Sequence, residues 1–175
     1  YFQPAKMVGV DFSAEAVALC NTRHDVDNLQ FQVGNAEDLP FDANSFDGVI
    51  NVESSHCYGS VDRFIAEVER VLKPGGIFAI ADMRKLDRVK PLTDALAASS
   101  LELIADTDIT ANVIRALDIA DADKRALINQ RIPKLLRRLF LDLGGAVGSK
   151  FYDAMAGGEI IYFNRVFKKP ALGKT

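Results

Sequence analysis

The stretch MVGVDFSAEAV, residues 7–17, decides how this chain is read. Met7–Val10 is a short apolar run of the kind that forms a buried strand, and it ends at Asp11. Ser13 stands where an N-cap is needed, and the helix it opens has Ala14, Val17, Ala18 and Leu19 on its buried side. A strand that passes through an acid into a helix is the repeating unit of an α/β sheet.

Working outward, the unit recurs. LQFQVGNA (29–36) alternates apolar and polar residues as a strand does, and LPFDANSF (39–46) is loop. FDGVINVESS (46–55) is a second apolar strand that ends in polar residues. Val61, Phe64, Ile65, Val68, Val71 and Leu72 recur at helical spacing behind a Ser60 N-cap, and KPGG (73–76) stops that helix. IFAIADM (77–83) is the most hydrophobic strand and is expected at the centre of the sheet. A helix is predicted from about Pro91, in the tolerated first turn, to Ser99, then a strand over LELIADT (101–107). Residues 111–143 read as helix broken at Pro133, and the β-rich GEIIYFNRVFKK (158–169) closes the fold. The order predicts an open, mostly parallel sheet with helices on both faces, in one domain.

Composition bounds the function. The chain has 175 residues, of which 49% are hydrophobic and 26% charged, enough for one domain with a sizeable core. A formal net charge of −3 gives no electrostatic case for nucleic acid. Cys20 and Cys57 lack metal-ligand spacing, so no metal is expected and a reducing cytoplasmic setting is the default. No apolar run approaches the roughly 20 residues of a membrane span. Tyr1-Phe2-Gln3 reads as native chain or as the tail of a tag and is set aside.

In such sheets ligands bind outside the carboxyl ends of the strands. Asp11 ends the first strand, where a carboxylate accepts hydrogen bonds from both hydroxyls of a ribose or serves only as a helix-start acid. Asn35 in GNAEDLPF (34–41) offers an amide to an adenine edge, and a backbone N–H at Ala36 suits a ring nitrogen; the plain alternative is an Asn-Ala turn. NVESSHCY (51–58) crowds polar residues at the third strand end. There Glu53 contacts a ligand or holds a loop, and His56 is either a structural histidine or a base. His24 reads as a solvated loop residue. Asp82 faces the cleft, where it orients His56 or binds a substrate hydroxyl, or else pairs with Arg84 or Lys85.

Taken together, VGVDFS, GNAEDLPFDANSFDGVI, RFIAEVERVLKPGGIFAIADMR and GGEIIYFNRVFKK resemble the class I S-adenosylmethionine-dependent methyltransferases over about Lys6 to Lys169. NVESSHCY and the helical insertion are most similar to small-molecule O-methyltransferases of natural-product and mycobacterial glycolipid pathways. The resemblance implies a Rossmann-like sheet with an antiparallel last strand. It implies S-adenosylmethionine as cofactor, its ribose on Asp11 with Phe12 beside it and its adenine near Asn35, Ala36 and Glu37. Asn51, Val52 and Glu53 line the cofactor, while His56 and Asp82 serve a substrate hydroxyl. Where many members have Asp, this chain has Asn35. The family's first strand and its acid-x-Gly-x-Gly-x-Gly loop belong before residue 7 and are not in this sequence, so the chain is expected to be the C-terminal part of a longer protein or to omit residues.

The implied reaction is in-line methyl transfer to a small, apolar, hydroxyl-bearing acceptor, with His56 as base and Asp82 as its orienter or a substrate anchor. The expected partner is that acceptor, with a homodimer allowed. Residues 111–143 are expected to be a lid over the acceptor. Leu135, Leu136, Leu139, Phe140 and Leu143 form its apolar face, which would otherwise be that of an ordinary core helix. Arg131, Lys134, Arg137 and Arg138 meet anionic lipid or form a solvated face. Two rivals remain: a nicotinamide-dependent oxidoreductase, and a Rossmann-like domain that has lost its cofactor.

Overall fold

The computed structural model describes residues 4–171; Tyr1, Phe2 and Gln3 lie outside the described residues. The chain runs β1 (Met7–Asp11), α1 (Ala14–Arg23), β2 (Leu29–Val33), β3 (Phe46–Val52), α2 (Val61–Val71), β4 (Leu72–Lys85), α3 (Leu86–Ala98), β5 (Glu102–Asp108), α4 (Thr110–Arg131), α5 (Arg137–Leu143), α6 (Lys150–Ala156) and β6 (Ile160–Lys168).

β1 and β2 form a parallel pair. Gly9 sits opposite Phe31, and a Cβ there would lie 2.5 Å from the Phe31 ring, so only glycine fits that contact. The other four strands form a sheet in the order β3-β4-β6-β5, with β3 parallel to β4 and β6 antiparallel to both of its neighbours. Among the described residues no ladder joins β1 to β3, so the two sheets are separate.

The core lies under the four-stranded sheet. Phe64, Ile65 and Val68 of α2 and Leu92, Ala95 and Leu96 of α3 pack on Phe78, Ile80, Phe163 and Phe167. Each fully buried side chain of this size contributes about 1.5–3 kcal/mol. The caps are local. Ser13 accepts from the Ala16 amide and Ser60 from the Arg63 amide. Lys169 reaches back to the carbonyl oxygens of Glu69 and Leu72 at 2.7 Å, closing the C-terminal end of α2.

Three expectations are corrected. α1 buries only Val17; Ala14, Ala18 and Leu19 are exposed, because α1 packs on a two-stranded sheet too narrow to cover them. KPGG does stop α2, but it then runs on as the start of β4, with Gly75 at φ 82° allowing the turn. α3 begins at Leu86, so Pro91 lies inside the helix. Its missing N–H leaves only the Asp87 carbonyl unpaired, and Asp87 is exposed to water, so burial of Leu92, Ala95 and Leu96 outweighs the loss. In the turn before α5 and in α5 itself, Leu135, Leu136, Leu139, Phe140 and Leu143 are all exposed, which does not suit the alternative of an ordinary core helix. The short helix α6 was not legible as a separate element.

Candidate active site

β3 and β4 are parallel and in register, with Val52 opposite Ala81, so their carboxyl ends stand side by side. Beyond Val52 the chain turns sharply. Glu53 adopts φ 53°, a left-handed conformation uncommon for a residue with a side chain, and its N–H donates to the Ala81 carbonyl at 2.9 Å. A single 3₁₀ turn over Ser55–Cys57 follows and sets Ser55 and His56 against Asp82.

Asp82 is wholly buried. Its Oδ2 accepts from Ser55 Oγ at 2.6 Å and from the His56 backbone N–H at 3.1 Å, and lies 3.0 Å from the Arg84 guanidinium. Its Oδ1 accepts from the Met83 N–H at 2.8 Å and lies 2.6 Å from His56 Nδ1. Arg84 is buried too, and its Nη2 donates to Ser55 Oγ at 2.7 Å. Two residues apart on a strand, Asp82 and Arg84 share a face, which is why one can neutralise the other.

Burying a carboxylate costs several kcal/mol unless its lone pairs are met, and here donors surround both oxygens. Burial pushes the Asp82 carboxyl up, but hydrogen bonds from Ser55, His56 and Arg84 and the Arg84 charge outweigh it. The net result holds Asp82 below the ordinary carboxylate value. An ionised Asp82 accepts a hydrogen bond from Nδ1–H of His56, which fixes the tautomer and leaves Nε2 with its lone pair. The His56 side chain is partly exposed.

Polar groups continue around this dyad. Asn51 Nδ2 donates to Tyr58 Oη at 2.9 Å, and Ser54 Oγ lies 2.6 Å from the same oxygen. Asn51 Oδ1 is buried and has no partner among the described residues, a deficit of about 1–3 kcal/mol. Tyr162 arrives from β6; burial, then the Glu53 carboxylate beside it, push its hydroxyl well above the ordinary phenol value.

The remaining predicted residues sit at the ends of β1 and β2. Asp11 Oδ1 accepts from the Ser13 N–H at 2.8 Å, while Oδ2 has no partner among the described residues. Phe12 is 82% exposed. Asn35 Oδ1 accepts from the Glu37 N–H, which forms the expected turn and leaves the amide NH₂ as the donor. Ala36 packs against the core, and Glu37 Oε1 accepts from the Gly59 N–H at 2.8 Å, tying this loop to the one after β3. The structure therefore brings His56 and Asp82 into direct contact and links Glu37 to the β3 loop. Val52 is exposed beside them. Sequence reasoning missed Ser55 and Tyr162. The SSH run at a strand end pointed to the first. The second comes from the far end of the chain and carried no local signal.

Residues 1–80 match the methyltransferase domain family. The chain is 39% identical over 166 residues to the phthiotriol/phenolphthiotriol dimycocerosates methyltransferase of Mycobacterium leprae, covering 95% of this chain and 62% of that protein. It is 34% identical to the fatty-acid O-methyltransferase of Mycolicibacterium smegmatis, covering 97% and 61%. The chain is thus similar to these methyltransferases over nearly its whole length. Its fold is that of a Galdieria sulphuraria protein described as a sarcosine dimethylglycine methyltransferase, with a TM-score of 0.79 at 15% identity, covering 94% of this chain and 70% of that one. The chain thus spans about three fifths of the length of the curated relatives it matches. A geranyl diphosphate methyltransferase of the same fold, with a TM-score of 0.69 at 16% identity and covering 94% of this chain and 69% of that one, is described in complex with S-adenosylmethionine. Two groups present are of the kind that fits the ribose and adenine of S-adenosylmethionine: a carboxylate oxygen on Asp11 with no partner among the described residues, and an amide donor on Asn35.

Proposed function

We propose that this protein transfers a methyl group from S-adenosylmethionine to the hydroxyl of a small, apolar acceptor. The observation that carries the reading is the His56–Asp82 pair at the carboxyl ends of adjacent strands, 2.6 Å apart. S-adenosylmethionine supplies an electrophilic methyl group when bound. Asp11 holds the ribose hydroxyls, with Phe12 beside them. Asn35, the Ala36 N–H and Glu37 meet the adenine side, and Asn51, Val52 and Glu53 line the cofactor from β3. His56 Nε2 takes the proton of the acceptor hydroxyl as the oxygen becomes the nucleophile, and later returns it to water. Asp82 holds the imidazole in the required tautomer, while Arg84 and Ser55 keep Asp82 ionised and fixed. The apolar acceptor is supported by the relatives, one named for a dimycocerosate of a triol and another for a fatty acid. Cys20 and Cys57 are both free thiols, which supports a cytoplasmic setting.

Calorimetric titration with S-adenosylmethionine tests the cofactor half. Asp11→Ala removes a charged acceptor worth about 1.5–3 kcal/mol, so affinity should fall by about one to two decades. Unchanged affinity would remove Asp11 from the site.

A further inference from the structure

We propose that the α4–α5 arm docks the protein on an anionic lipid surface. The arm departs from the edge of the site: Thr110, the first residue of α4, bonds the backbone of Tyr162, which lies beside Glu53. α4 then extends for 22 residues, about 33 Å, with Ile128 its single buried side chain. At its far end the chain turns through Pro133 into α5, which buries none of its residues. Leu135 is 93% exposed and Leu143 75%, with Leu139 and Phe140 on the same stripe. A surface helix normally turns such a stripe to the core, and this one turns it to water.

The charge around the stripe says what covers it. Between residues 131 and 143 there are four basic residues and one acid, in a chain whose formal net charge is −3. Arg137 is spent closing α4, donating to the Ile132 and Asn129 carbonyls. Arg131, Lys134 and Arg138 are exposed and make no ion pair among the described residues. Lys134 and Arg138 are four apart, each directly before an exposed leucine, so the cations flank the apolar stripe along one side. Apolar side chains bordered by exposed cations suit a headgroup layer, where the leucines enter the acyl boundary and the cations meet lipid phosphates. A second copy of the chain would set these cations against their own kind. Docking here would tether the far end of the arm to the surface where an apolar acceptor collects.

The test is co-sedimentation with vesicles of phosphatidylcholine alone and of phosphatidylcholine in which about one lipid in three is phosphatidylglycerol. It is read without cofactor or acceptor, so it stands apart from the methyl-transfer reading. The protein should bind the anionic vesicles, with binding weakened as salt rises. Each cation near such a surface strengthens binding by about fivefold, so Lys134→Glu with Arg138→Glu should weaken it by about 100-fold or more. Leu135→Ser should weaken it by about tenfold or more. Circular dichroism checks the fold, and Arg138→Gln alone, with about a fivefold loss expected, serves if the double variant does not fold. Equal binding to both vesicle types, or variants that bind as the parent does, would overturn the proposal. So would a Leu135→Ser variant that changes only the sedimentation coefficient of the free protein, which would make the stripe an interface between copies.

Discussion

Replacing Asp82 with asparagine isolates what holds the site together. The Asp82 carboxylate is wholly buried, and its Oδ2 faces Ser55 Oγ, the His56 N–H and Arg84. In Asp82→Asn the volume is kept, but one oxygen becomes an NH₂ that confronts donors. Arg84, itself 5% exposed, is left as a buried charge with no counter-ion. Breaking one side of a buried ion pair costs about 3–5 kcal/mol. For a chain of this length that is a fall of about 6–20 °C in melting temperature. Asp47→Asn is the control, because Asp47 pairs with Lys73 at 2.9 Å but is almost fully exposed, and it should cost less than about 0.5 kcal/mol. Urea unfolding of both variants decides between them. A loss below about 1 kcal/mol for Asp82→Asn would refute the reasoning that Asp82 is ionised and clamped.

Two further outcomes follow from the same geometry. The Asp82 carboxyl is held below its ordinary value of about 3.9, so its stabilisation is fully present above about pH 4 and lost as pH falls through the lowered folded value. Acid titration of stability should therefore be steeper below pH 4 in the parent than in Asp82→Asn, and parallel curves would contradict it. Amide exchange should be much faster over Thr110–Leu143 than over Ile77–Ala81, because the arm buries almost nothing while Phe78 and Ile80 are fully buried; equal protection would show the arm to be core.

What the sequence could reveal was mostly local. Ser13 and Ser60 each precede an apolar run by the spacing a cap requires, and both cap their helices. The run IFAIADM is central, as its hydrophobicity suggested: β4 lies between β3 and β6 and buries Phe78, Ile80 and Asp82 on one face. The antiparallel entry of β6 between β4 and β5 came from the family resemblance rather than from the pattern of its own residues. Pro91 misled the reading of α3 because proline's preference for a first helical turn is a local rule, and tertiary burial of Leu92 and Leu96 overrode it. The α5 stripe has the periodicity of a core helix, and periodicity alone does not say whether a partner face exists. In the site, His56 and Asp82 were legible as strand-end residues, and their contact follows from the register of β3 on β4. Ser55 and Arg84 complete the clamp through distances that no sequence pattern encodes, although the two-residue spacing of Asp82 and Arg84 put them on one face.

The most direct test of methyl transfer through His56 is the turnover and pH–rate profile of His56→Asn with a hydroxyl-bearing acceptor. Asparagine keeps a polar side chain that reaches Asp82 but takes up no proton near neutral pH. If His56 is the general base, turnover falls by about 10²–10⁴-fold, cofactor affinity is nearly unchanged, and the acid limb of the parent's profile disappears. Full turnover with the same acid limb would contradict the account, leaving His56 a structural residue and the acceptor an atom already nucleophilic without a base.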